Sequence, residues 1–133
     1  MNSNKSKLPA FNELFKKLRK ENFLAKQNFS CCNSCASYEL TEMAFEKYKQ
    51  NKPYKGYVFY HKQNTDGMKR TGFCYLSYGH ITHYGENHTP TTISTIDNIE
   101  DVGKRIVEIC KELGLYFEWD GNPGSKIKVK ATT

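Results

Sequence analysis

At 133 residues the chain has the length of one domain and can bury a core without disulfide staples or a structural metal. Its 38% apolar and 14% aromatic content excludes a disordered polymer; no run approaches the roughly 18 apolar residues of a membrane span, and no apolar core of a secretory signal follows the N-terminus. Twenty basic against fourteen acidic side chains give +6, which favours polyanionic partners by long-range attraction, although lysine-rich surfaces also serve solubility and codon bias enriches Lys, Asn and Tyr together.

Residues 1–7, "MNSNKSK", are polar and read as a disordered tail, leaving 8–133 as a single domain. Pro9 suits a first helical turn, and Phe11, Leu14, Phe15 and Leu18 recur at helical spacing, which predicts a helix over 9–21. "FLAKQNF" has no helical face and reads as a short strand. Ala36, Leu40, Met43, Ala44 and Lys47 trace one side of a second helix, with Ser30 or Asn33 available as its cap. After the "NKPYKG" break, "GYVFYHKQ" concentrates aromatic and β-branched residues as a strand does, and "NTDGMKRTG" reads as a hairpin connection to the strand "FCYLSYGHI".

From His80 to Thr95 the pattern dissolves into His, Gly, Thr and Pro, which predicts an exposed loop or irregular edge strand. Asp97 or Asn98 caps a third helix whose Val102, Ile106, Ile109, Cys110 and Leu113 form an apolar stripe ending at Gly114. "LYFEW" and "KIKVKA" close the chain as two strands around the turn "DGNPGS". The expected architecture is α+β: a mainly antiparallel sheet of four to six strands packed against three helices, in the order αβαββαββ.

Five cysteines, an odd number without the spacing of a secreted disulfide framework, agree with a reducing, cytoplasmic location. Cys31, Cys32 and Cys35 crowd the start of the second helix, where exposed N–H groups and the helix dipole lower a thiol pKa. Three uses are open to them. A strand, C-x-x-C and helix in that order is the local pattern of thiol redox sites, but no partner proline segment accompanies it. A zinc site needs four ligands, and these three sulfurs would be completed by His61, Cys74 or a loop histidine. Packing alone is the third, because a thiol behaves as a small hydrophobe. Cys74 and Cys110 sit at apolar strand and helix positions and read as core.

His80, His83 and His88 form an H-x-x-H loop without the i,i+4 spacing of helical metal motifs, so solvated loop histidines explain them best. His61, closing an aromatic strand and followed by Gln63 and Asp66, reads as a polar pocket edge able to move a proton. No nucleophile motif or phosphate-binding glycine loop accompanies it, so catalysis has little support in the residues. "TGFCYLSY" runs close to the aromatic strand of RNA-recognition motifs, with Phe73 and Tyr75 where bases would stack, and βαββαβ lies within the expected order. The departures are Thr71 at the basic position and Cys74 at the small one.

Taken together, "QNFSCCNSC", "GYVFYHKQ", the strand with Tyr75 and Gly79, and "GLYFEWDGNPGSKIKV" resemble a domain-of-unknown-function family of small, mostly bacterial proteins, over residues 11 to 130. That family implies a C-C-x-x-C-G stretch, a V-F-Y-H-x-Q-D stretch and a W-D-G turn. Here Ala36 replaces the glycine of the first, Asn64 stands at the acid of the second with Asp66 nearby, and Trp119, Asp120 and Gly121 match the third. The resemblance carries no activity, but it implies that these three stretches belong to one recurring design around one pocket.

The sequence therefore points to a small intracellular accessory or binding protein with a Cys-rich polar pocket. Cys31, Cys32, Cys35, Tyr60, His61, Gln63, Asp66, Trp119 and Asp120 are its candidate ligand contacts. Zinc on Cys31, Cys32, Cys35 and His61, or thiol redox chemistry there, is one alternative. The other is a single-stranded RNA or other polyanion partner stacked on Phe73 and Tyr75.

Overall fold

A computed structural model describes residues 8–29, 33–84 and 89–132. The tail read at 1–7, together with Ser30, Cys31, Cys32 and His88, lies outside them. Helix α1 (Pro9–Lys20) opens on Pro9 and buries Phe11, Leu14, Phe15 and Leu18, the four positions its spacing singled out. Strand β1 (Leu24–Lys26) leads through helix α2 (Asn33–Lys49) to β2 (Tyr57–Phe59), which lies parallel beside β1. The long crossover a parallel pair requires is supplied by α2.

Helix α3 (Lys62–Thr71) then turns the chain into β3 (Phe73–Gly79), antiparallel to β2. This segment corrects the expected hairpin connection. The Asp66-Gly67 pair that resembles a turn sits inside the helix, because Thr65 and Met68, three residues apart, are buried and Asn64 Oδ1 accepts the His61 N–H at 3.1 Å to start it. Gly72, at φ +82°, ends it in the left-handed conformation, its N–H donating to the Met68 carbonyl at 2.8 Å.

A small antiparallel ladder of β4 (Thr82–Tyr84) and β5 (Pro90–Thr92) follows. Residues 80–95 are thus not wholly exposed: Ile81 and Ile93 are buried, and the Ser94 hydroxyl accepts the Ile81 N–H at 2.9 Å. Helix α4 (Ile99–Leu113) is as expected, with Asn98 capping the Glu100 N–H at 2.9 Å and Gly114 at φ +70° closing it. Strands β6 (Phe117–Glu118) and β7 (Ile127–Lys130) form the last hairpin. The described chain therefore carries four helices where three were expected, a five-stranded sheet in the order β1-β2-β3-β7-β6, and a separate two-stranded ladder. The sheet is antiparallel except at β1/β2, and the α+β class holds.

The two faces of the sheet differ. One carries Ala25, Val58, Tyr60, Cys74, Leu76, Tyr78, Ile127 and Val129 into a core shared with α1 and α4. Strand alternation sends their neighbours to the other face. There Leu24, Tyr57 and Phe59 pack with Ala36, Leu40 and Ala44 of α2 and with Ile81 and Ile93. Among the described residues that cover ends over β2 and the Ser77 end of β3, and over the rest of β3, β7 and β6 the second face presents Phe73, Tyr75, Lys128, Lys130 and Glu118. The βαββαβ unit of an RNA-recognition fold is not the architecture, since α3 separates β2 from β3 and the β1/β2 pair is parallel.

Candidate binding face

The residues singled out by sequence disperse into four surroundings. Tyr60 is fully buried on the core face, its ring 5.6 Å from Phe11 and 5.5 Å from Phe15, with Gln27 Nε2 donating to its hydroxyl at 3.3 Å. Burial pushes the phenol well above its usual range.

His61 stands at the N-cap of α3 with 5% exposure, in a reciprocal capping box with Asn64. Burial, and then the Lys126 charge, holds the imidazole below its ordinary pKa. The preceding chain docks beside it. Phe29 N–H donates to the Tyr60 carbonyl at 2.8 Å, and Thr65 Oγ1 donates to Asn28 Oδ1 at 2.6 Å. Cys35 lies exposed near the start of α2, while Gln63 and Asp66 are exposed on α3. Asn64, at the expected acid position, accepts through its side-chain oxygen, a capping role an aspartate fills equally.

Trp119 and Asp120 organise a turn at the opposite end of the sheet. The Trp119 ring meets Tyr78 edge to face at 6.0 Å and donates from Nε1 to the Asn122 carbonyl at 3.2 Å. Asp120 Oδ1 accepts the Asn122 N–H at 2.9 Å, and its Oδ2 accepts from Ser125 Oγ at 3.3 Å. Gly121 takes φ +83°, which makes glycine the residue for that step. The Tyr78 hydroxyl, donating to the Ser125 carbonyl at 2.6 Å, fastens the turn to β3.

Phe73 and Tyr75 lie on the open half of the second face. Tyr75 is 45% exposed and pairs across the ladder with Lys128, while Phe73 pairs with Lys130. The Phe73 centroid is 4.5 Å from Lys128 Nζ and 5.5 Å from Lys130 Nζ, within cation–π reach, and 6.0 Å from the ring of Tyr116, itself 53% exposed. Glu118 is the acid in this group. It accepts from the Tyr116 hydroxyl at 2.6 Å and pairs with Lys128 at 3.6 Å, and these contacts hold its carboxyl below the usual range.

At the inner border of this face lies an open hollow of about 160 Å³ lined by Tyr57, Ser77, Tyr78, Lys126 and the turn residues 123–125. Ser77 is 9% exposed, and its hydroxyl makes no hydrogen bond within the described residues. Sequence reading missed Tyr57, Ser77, Tyr116 and the three lysines of "KIKVKA". The signal was present in the alternation of that strand, whose even positions are all lysine and whose odd ones are buried.

Among the described residues no three His, Cys, Asp or Glu side chains are grouped as metal ligands, and no helix is long and apolar enough to cross a membrane. Fold and face define an α+β protein with a half-open, mostly antiparallel sheet. The chain belongs to the DUF6891 family, a domain of unknown function, whose model matches residues 7–133. That agrees with the resemblance drawn from its cysteine, His61 and Trp119 stretches. No curated protein and no solved structure matches the chain.

Proposed function

We propose that this protein is a binding module that takes single-stranded nucleic acid on the open half of its sheet. The observation that carries this is the pairing of exposed Tyr75 and half-buried Phe73 with Lys128 and Lys130 across the β3/β7 ladder. Aromatic faces stack on unpaired bases with about 1–3 kcal/mol per base, and flanking lysines follow the phosphates. Duplexes do not offer unstacked bases, so single strands are the matching partner. The test is fluorescence anisotropy of labelled RNA and DNA octamers and of a hairpin duplex across a salt series. Single strands should bind more tightly than duplex and weaken as salt rises, and Tyr75→Ala should lower affinity at least tenfold, about 1.4 kcal/mol. Equal affinity of the wild type and a Phe73→Ala/Tyr75→Ala variant that melts like wild type would refute the assignment.

A second use is favoured by His61. The zinc ligand set read from the sequence is Cys31, Cys32, Cys35 and His61, of which His61 is buried at the start of α3 and Cys35 is exposed near the start of α2. Native mass spectrometry of protein purified without chelator tests it. A zinc-sized increment lost in Cys35→Ser supports the set, and an apo mass in the wild type removes it.

A further inference from the structure

The hollow beside Tyr75 has a chemistry of its own. Its lining offers the donor side chains of Lys126, Ser77 and Tyr57, and among the described residues no carboxylate lines it. The turn's acid, Asp120, is engaged by the Asn122 N–H at 2.9 Å and the Ser125 hydroxyl at 3.3 Å. Ser77 is about nine-tenths buried, and its Oγ makes no hydrogen bond among the described residues. A buried hydroxyl without a partner carries a desolvation cost that a bound acceptor relieves.

Ser77 follows Tyr75 by two residues on the same side of β3, and Lys126, just before β7, precedes Lys128 by two, a spacing of about 6.8 Å along each chain. That distance lies within the span of one nucleotide between base and phosphate. An internal phosphodiester bears one charge, whereas a terminal phosphate monoester bears nearly two and presents three acceptor oxygens, matching a cation and two hydroxyl donors.

We infer that the hollow formed by Ser77, Tyr57 and Lys126 receives the terminal phosphate of a single strand whose end base stacks on Tyr75. This makes the face an end-recognition site, and it rests on the nucleic-acid assignment above. A Cβ at Gly79 would lie 3.2 Å from the Tyr57 ring, so a side chain there would require that ring to shift by a few tenths of an ångström.

The experiment compares octamers bearing a 5′-phosphate, a 3′-phosphate or hydroxyls at both ends, each labelled away from the end tested, by anisotropy with wild type, Ser77→Ala, Lys126→Ala and Tyr75→Ala. One phosphorylated end should bind about tenfold tighter than the hydroxyl strand, the scale of charge-assisted hydrogen bonds. Ser77→Ala and Lys126→Ala should each shrink that ratio towards one, Lys126→Ala also weakening every strand through the lost charge. Tyr75→Ala should weaken all strands alike. Equal binding of all three strands overturns the end-recognition site and leaves the open-face assignment standing. Binding of none overturns both. Inorganic phosphate seen by calorimetry, without an advantage for either phosphorylated end, makes the hollow a free-phosphate site and also overturns the inference.

Discussion

Gly103 is where helix α4 meets the Trp119 turn, and replacing it by alanine measures that contact. A Cβ at Gly103 would lie 2.7 Å from Trp119 Cζ2, 2.8 Å from Cη2 and 3.0 Å from Tyr78 Cε2. Gly67, in the middle of α3, is the matched control, since its Cβ would meet nothing closer than an Arg70 nitrogen at 3.9 Å. In both helices alanine gains about 1 kcal/mol of intrinsic propensity over glycine. Gly67→Ala should therefore stabilise by up to that amount. At Gly103 the same gain is opposed by overpacking, which costs roughly 1–3 kcal/mol in a filled site. The two variants should differ by about 1–3 kcal/mol in urea unfolding at constant m, or roughly 4–10 °C in Tm for a domain of this length. Repeating Gly103→Ala in a Trp119→Phe background removes the ring atoms that collide, and the penalty should fall by at least 1 kcal/mol, about the coupling expected of touching residues. If Gly103→Ala stabilises as much as Gly67→Ala, Trp119 is not seated on α4 and the W-D-G stretch is not a structural clasp.

Three further outcomes are expected. Glu21 is held below its ordinary pKa chiefly by its hydrogen bond with Arg105, so its contribution is present above the unfolded value near 4.5 and is lost as pH falls through the folded value. Glu21→Gln should flatten the acid limb of a stability–pH curve, with Glu112 and Glu118, also lowered, supplying what slope remains. Ile106→Ala, at a fully buried position between α4 and the sheet, should cost about 2–5 kcal/mol by chemical denaturation, and a loss below 1 would mean that α4 does not cover that face. In a timed alkylation followed by peptide mapping, exposed Cys35 should react in native protein. Cys74, whose thiol burial raises well above its usual range, and Cys110, pushed up to about 12, should react only on unfolding.

What the sequence determined by itself was what repeats along the chain. The stripes at Phe11–Leu18 and Val102–Leu113 give α1 and α4 with their buried faces, because four or five apolar residues at helical spacing leave one way to hide them. Asn98 and Gly114 mark the ends of α4 by local hydrogen bonding and a left-handed φ, which neighbouring residues alone dictate. Membership of a family of unknown function was also read from the sequence, and the family model covers residues 7–133. Tertiary structure decided the rest. The "NTDG" segment carries turn residues, and it is helix because Thr65 and Met68 find buried places, an energy that depends on residues distant in sequence. The alternation of "KIKVKA" shows two faces without saying which neighbour covers either. Only the insertion of β7 between β3 and β6, with α2 confined to β1 and β2, brings Lys128 opposite Tyr75 and opens the hollow at Ser77. Spacing along a strand is local, but which strands lie side by side is set by the burial of the whole chain, and the proposed site lies where those strands meet.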